Sequence, residues 1–306
     1  MNNLFQGASS YWAKYSEYEI KTAKNGTKYV KPAPKAKPTV FNPLKDAEAV
    51  VVDALNVGLF QLSRRSESAI HMALMDFIHK YGLLGFITAL PTTPNFMEYD
   101  AAYLPKNHFI KAEAMKAGEY TALFFPFEQP DIRGDKDEMQ FSVSGDRDML
   151  ALAMTFADKP LAMNMSLQRE YAERYDWLLL QFQDLAFTFI SSYIYYEDHE
   201  MLDEPSKDML RMGMTAFGGI APTYRIALFE KPTIIWDFHS LLLGVQMMFS
   251  FMLTDDANPL RICRHCDKVF IAKHPNAAFC TPQCKNQHNV YKSRAKKAEG
   301  EKTKEE

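Results

Sequence analysis

The chain is short of cysteine: its 306 residues contain four, and the first 262 contain none. A disulfide framework is excluded for that long stretch, which must be held by its own core. Catalytic signatures are missing as well. There is no phosphate-binding or dinucleotide glycine loop, no His-Glu-x-x-His and no Gly-x-Ser-x-Gly elbow, so the chain is expected not to be an enzyme. Residues 1–7 lack the basic-then-apolar pattern of a secretory leader, so the protein is expected in the cytoplasm, where thiols stay reduced. No repeat of fixed period is visible. Long apolar runs free of polar groups are absent too. Segment 177–196 carries Gln181, Gln183 and Asp184, and segment 233–253 carries Asp237, His239 and Gln246; both read as buried core helices, with no membrane contact.

What is present is an ordinary globular composition, 47% hydrophobic and 24% charged, in a length that suits about two domains. The net charge of −3 is unevenly spread. Residues 258–297 hold nine Lys or Arg against the single acid Asp267, a net +8, and the tail 298–306 holds two lysines against four glutamates, a net −2. Residues 1–257 therefore carry −9. A zinc ion bound by four thiolates contributes −2 and leaves the basic end at about +6, a surface suited to a polyanion.

Four regions follow. Residues 1–45 comprise a hairpin, turned by Asn25-Gly26, and a Pro/Lys-rich connector over 31–38 that is expected to be extended and solvated. Residues 46–257 form a mainly helical body suited to sensing or assembly. In it Ile70, Leu74, Phe77, Ile78 and Tyr81 make an apolar helical stripe, Ser66 is the cap and Gly82 the stop. Further helices are expected over 150–157, 167–196 and 205–217, with strand-like stretches at 120–127 and 141–144. Alternation at Tyr224, Ile226 and Leu228 predicts a strand, while 233–236 fits either its partner or the start of the next helix. The acid-rich stretches 131–138 and 144–148 read as solvated turns, and methionines such as Met209, Met212 and Met214 as core gap-fillers. His108, His199 and His239 have no companions in sequence and are assigned structural roles. The fold class is α+β, mainly α with a small β component, ending in a four-cysteine finger over 258–297 and a charged tail over 298–306.

All four cysteines fall in that finger, as Cys263-x2-Cys266 and Cys280-x3-Cys284. This is the spacing of a closed tetrahedral zinc site, structural and not catalytic. His274 is an alternative ligand, and His265 a solvent-facing or supporting side chain. The first pair sits in a loop leading into Lys268-Val-Phe-Ile. The second sits at a helix start, where Thr281 caps and Pro282 takes the first helical position. Knuckle, hairpin and ligand-bearing helix make a treble-clef-like arrangement. Along the helix, Lys285, His288, Asn289, Lys292 and Lys296 fall within an arc of about 100°, with Arg294 off it and Val290 and Tyr291 on an apolar side suited to packing. A basic stripe mixed with Asn and His is fitted to nucleic acid, with lysines on phosphates and His288 or Asn289 at base edges. Arg294 adds to the basic surface. One finger has a small footprint, so a homodimer or the lysine-rich connector would have to extend it.

The run Leu260-Arg-Ile-Cys-Arg-His-Cys-Asp-Lys-Val-Phe, with Phe279-Cys-Thr-Pro-Gln-Cys-Lys-Asn-Gln and a basic helix, resembles the CGNR-type zinc finger. That finger closes bacterial proteins with a helical ABATE domain, which are regarded as stress-related transcriptional regulators. The resemblance covers about 40 residues and carries the family's zinc ligands onto Cys263, Cys266, Cys280 and Cys284. The family's Cys-Gly-Asn-Arg stands here as Cys284-Lys285-Asn286-Gln287. It implies a zinc-dependent DNA-binding regulator whose effector is unknown. RNA as the nucleic acid, and a finger that docks on an acidic protein surface, are the alternatives.

Overall fold

Residues 8–88, 101–103, 107–111, 113–127, 166–215, 223–238, 240–255, 257, 259–274 and 276–302 are described in the structure, a computed structural model. The chain falls into two compact units, residues 2–248 and 249–306.

The described part opens on five short strands, β1 (Ala8–Ser9), β2 (Trp12–Tyr15), β3 (Tyr18–Thr22), β4 (Lys28–Pro32) and β5 (Pro38–Phe41). Asn25-Gly26 turns β3 into β4 as its sequence predicts. Gly26 has φ 85°, and the Ala23 N–H donates to the Thr27 carbonyl at 2.8 Å. The connector expected to be solvated is so only in part: Pro34, Lys35 and Lys37 are exposed, but Ala33 and Ala36 are buried, and a turn between them sends the chain back into β5, which pairs with β2. Prolines rule out a helix there but not a tight link between paired strands, and Arg169 fastens the turn by donating to the Pro34 carbonyl at 2.8 Å.

Two helices follow, α1 (Ala47–Leu62) and α2 (Glu67–Tyr81). In α2 the side chain of Ser66 accepts from the Ala69 N–H, the five stripe residues are all buried, and Gly82 ends the helix at φ 90°. Strands β6 (Ala101–Tyr103) and β7 (Ala114–Lys116) pair with one another. The stretch 120–127, expected to be strand-like, instead begins inside the short helix α3 (Ala117–Ala122), where Tyr120 is drawn inward and donates its hydroxyl to the carbonyls of Phe86 and Ile87. The expected strand at 141–144, the helix at 150–157 and the acid-rich stretches 131–138 and 144–148 lie outside the described residues.

The long helix expected from 167 starts later, since β8 (Glu173–Arg174) first pairs with β4. Helix α4 (Tyr175–Glu197) then runs against α1, with Trp177, Leu178, Phe182, Leu185 and Phe189 buried. Helix α5 (Glu204–Thr215) carries Met209 and Met212 on its exposed side, so those two are surface residues and not gap-fillers. The open choice at 233–236 resolves as a strand: β9 (Thr223–Leu228) pairs antiparallel with β10 (Pro232–Asp237), and β1 lies parallel on the far side of β10. Helix α6 (Leu241–Leu253) follows. The C-terminal unit adds the hairpin β11 (Leu260–Ile262) and β12 (Val269–Ile271), then α7 (Pro282–Lys302). Helices and several small sheets thus make an α+β chain, and no helix among the described residues is long and apolar enough to cross a membrane.

Candidate metal centre and its basic helix

The first two cysteines are positioned by the turn of the β11–β12 hairpin. Cys263 donates its N–H to the Lys268 carbonyl and accepts from the Asp267 N–H, both at 2.9 Å. Asp267 closes the loop at φ 58°, in the left-handed region that Asp tolerates better than most residues. The second two are positioned by the start of α7. The Thr281 hydroxyl accepts from the Cys284 N–H at 3.2 Å, and Pro282 is the first helical residue, so cap and proline act as their sequence order predicts. A hydrogen bond from the Arg264 N–H to the Ala278 carbonyl, 3.0 Å, ties the knuckle to the segment that leads into Cys280.

These contacts bring the four ligand atoms within 4.8 Å of one another. The sulfurs of Cys266 and Cys280 are 3.7 Å apart, and those of Cys280 and Cys284 3.5 Å. A tetrahedral ion with metal–sulfur bonds of about 2.3 Å needs sulfurs about 3.8 Å apart, so the cluster has the size and the soft donors for one such ion. His274 is not among the grouped ligands. Cys263 is fully buried, and the other three are partly exposed. Burial alone raises the Cys263 thiol, yet backbone donors from Cys266, Cys280 and His265 outweigh it and bring it down to about 6. Burial and the adjoining sulfurs push Cys280 up to about 12. Four crowded sulfurs thus resist sharing negative charge by themselves, and a divalent cation among them relieves that repulsion.

On α7, Lys285, Asn289, Lys292 and Arg294 are exposed; of Lys296 only the backbone is described. His288, proposed at base edges, is partly buried instead. Its ring packs on Phe279 at 5.1 Å and meets the edge of His265 at 6.5 Å. The sequence gives no sign that His265, Gln287, Tyr291 and Phe279 form one cluster, because they lie up to 26 positions apart. His265 Nε2 faces the Gln287 Oε1 at 2.9 Å, and its ring stacks on Tyr291 with centroids 5.7 Å apart and planes at 23°. Val290 and Tyr291, expected to be packing residues, are 47% and 59% exposed.

In the N-terminal unit, His108 Nδ1 and N–H both meet Asp184 Oδ1, at 2.7 and 2.9 Å, while Nε2 faces the Gly213 carbonyl at 3.1 Å. Both ring nitrogens are spent on holding the 107–110 turn to α4 and α5. No family model matches the chain, and no curated protein or solved structure is significantly similar to it.

Proposed function

We propose that Cys263, Cys266, Cys280 and Cys284 hold one structural zinc ion in a treble-clef-like finger, and that this finger is the DNA-binding element of a cytoplasmic, CGNR-type transcriptional regulator. The observation that carries the reading is the four-sulfur cluster beneath an exposed basic helix: Lys285, Lys292 and Arg294 stand free of any acid on α7 before Glu299. Zinc supplies the closure of the hairpin onto α7, a structural task, since four thiolates leave no position for water or substrate. Lys285, Lys292 and Lys296 take phosphates and Asn289 reaches base edges, while His288 acts through its packing on Phe279. Residues 46–257 sense an effector or mediate assembly. We take the chain as a binding protein and not an enzyme.

A second reading is favoured by the segregation of charge: +8 over residues 258–297 against −9 over residues 1–257 also suits a zinc-stabilised knob that docks on an acidic protein surface. Salt separates the two. Phosphate contacts release condensed counterions, with a slope of about 0.9 per contact in log Kobs against log salt. Anisotropy of zinc-loaded protein on a duplex is expected to show a steep salt dependence that drops by about three units of slope in the Lys285/Lys292/Lys296→Ala variant. Absence of binding to both duplex and single-stranded probes at low salt by protein of confirmed zinc content would discard the nucleic-acid role in favour of the acidic partner.

A further inference from the structure

The phosphate-binding stripe leaves the aromatic stack on the outside of the finger unused. Tyr291 is 59% exposed on a helix whose other outward side chains are mostly charged or polar. One side of its ring lies on His265. His265 cannot easily turn away: its backbone sits between Cys263 and Cys266, its Nε2 is engaged with Gln287 at 2.9 Å, and its ring abuts His288. Tyr291 is thus backed by a braced ring while more than half of its surface stays exposed. Exposed cations are close in sequence to both rings, with Arg264 next to His265 in the knuckle, Lys292 adjoining Tyr291 and Arg294 about one turn further along α7. Asp267 is the only acid between 258 and 297.

We propose that the Tyr291–His265 stack is a platform for an unpaired nucleobase, so that the finger takes single-stranded nucleic acid in preference to a duplex. The proposal rests on the reading of the finger as a nucleic-acid interface and specifies the form that it takes. In a duplex the base faces are covered by their neighbours, and a flat exposed ring finds only edges and sugars. In a single strand every base offers a face, and a ring already braced by a second ring loses little freedom on stacking. At about 100° per residue Lys292 and Arg294 lie on opposite sides of Tyr291. A strand crossing the ring therefore meets a cation before and after the stacked base. The shared chemistry is a base face plus flanking phosphates, which single-stranded DNA and RNA both supply.

The test uses full-length, zinc-loaded protein and three fluorescent probes of equal length: oligothymidylate, oligouridylate and a mixed-sequence duplex. Wild-type protein is expected to bind one or both single strands more tightly than the duplex. Tyr291→Leu should weaken single-strand binding about 5- to 150-fold, the range for loss of one base–aromatic stack, with duplex binding and zinc content unchanged, and Tyr291→Phe should restore it. The oligothymidylate and oligouridylate arms tell DNA from RNA. Lys285→Ala/Lys292→Ala should weaken all three probes. If Tyr291→Leu leaves single-strand binding intact, or weakens all probes equally, while the lysine variant still acts, the platform is overturned and the finger's nucleic-acid role survives. If no probe binds at low salt, both fail.

Discussion

At the scale of single residues the most consequential group outside the finger is Glu173. Its side chain is wholly buried, yet every strong partner it needs is present. Oε1 accepts from the N–H groups of Gly85 and Phe86, at 2.6 and 2.9 Å, and from the Tyr171 hydroxyl at 2.7 Å, while Oε2 accepts from the Leu84 N–H at 2.8 Å. One carboxyl thereby ties β8 to the turn after α2, where Gly82 and Gly85 have positive φ. Burial raises the Glu173 carboxyl above its ordinary 4.5, and the four donors only partly offset it. Burial and the neighbouring carboxylate hold Tyr171 well above its usual range, so it remains a donor. A raised acid in the folded state contributes stability in full below the unfolded value, and that contribution is lost as pH rises through the folded value. Urea unfolding of the wild type and Glu173→Gln between about pH 4 and 8 should show the variant less stable by about 2–3 kcal/mol at the acid end. The gap should narrow as pH rises; a gap that widens with pH contradicts the assigned direction.

At the scale of elements, the close approach of α1 and α4 depends on one missing methyl. A Cβ on Gly58 would lie 1.8 Å from the Phe182 carbonyl oxygen and 2.8 Å from the Ala186 Cβ, and the first of these is backbone that no rotamer change can move aside. Gly58→Ala gains helix propensity but must force the helices apart, and is expected to lose at least about 2 kcal/mol in denaturant unfolding. Gly213 in α5 is the control: its added Cβ meets ring and hydroxyl atoms at 3.7 and 4.0 Å, ordinary contacts. Gly213→Ala should stabilise by about 0.5–1 kcal/mol. The two glycines look alike in sequence, which shows where pattern reading stops. Periodicity and capping expose α2 residue by residue because its signals are local. They miss the start of α4 because Glu173 and Arg174 are claimed by a distant strand, β4, and they misread the stretch from 120 because Tyr120 is fixed by carbonyls more than 30 positions away. The candidate site divides likewise. Ligand spacing and the Thr281 cap are local and legible, whereas the His265–Tyr291 stack needs the knuckle folded onto the helix before it exists.

At the scale of the whole molecule, the two units differ in what can hold them. The N-terminal unit buries aromatic and aliphatic side chains from α1, α2 and α4 in quantity, among them Leu55, Leu74, Phe77, Ile78 and Phe189. In the C-terminal unit the buried hydrophobic positions among the described residues are Phe249, Met252, Leu260, Cys263, Val269 and Ala272, and one of those is a candidate ligand. On the proposed reading a module with so small a core depends on its metal, with zinc binding worth on the order of 10–16 kcal/mol in comparable peptides. Removal of zinc with a strong chelator should therefore act on one unit alone. Hydrogen exchange followed by mass spectrometry is expected to show loss of protection across β11, β12 and the first turns of α7, with α1, α2 and α4 unchanged. Cys263→Ser, which removes the buried ligand, should reproduce that pattern without chelator and bring the zinc content close to zero. Persistence of hairpin protection in metal-free protein would mean that the four sulfurs serve as small core side chains, and the basic helix would then keep its position without zinc. Since the exposed cations of α7 are set by that position, the same exchange data also bear on recognition. If the first turns of α7 fray on chelation, the proposed nucleic-acid binding must be lost with the metal, because Lys285 and Lys292 lie on those turns.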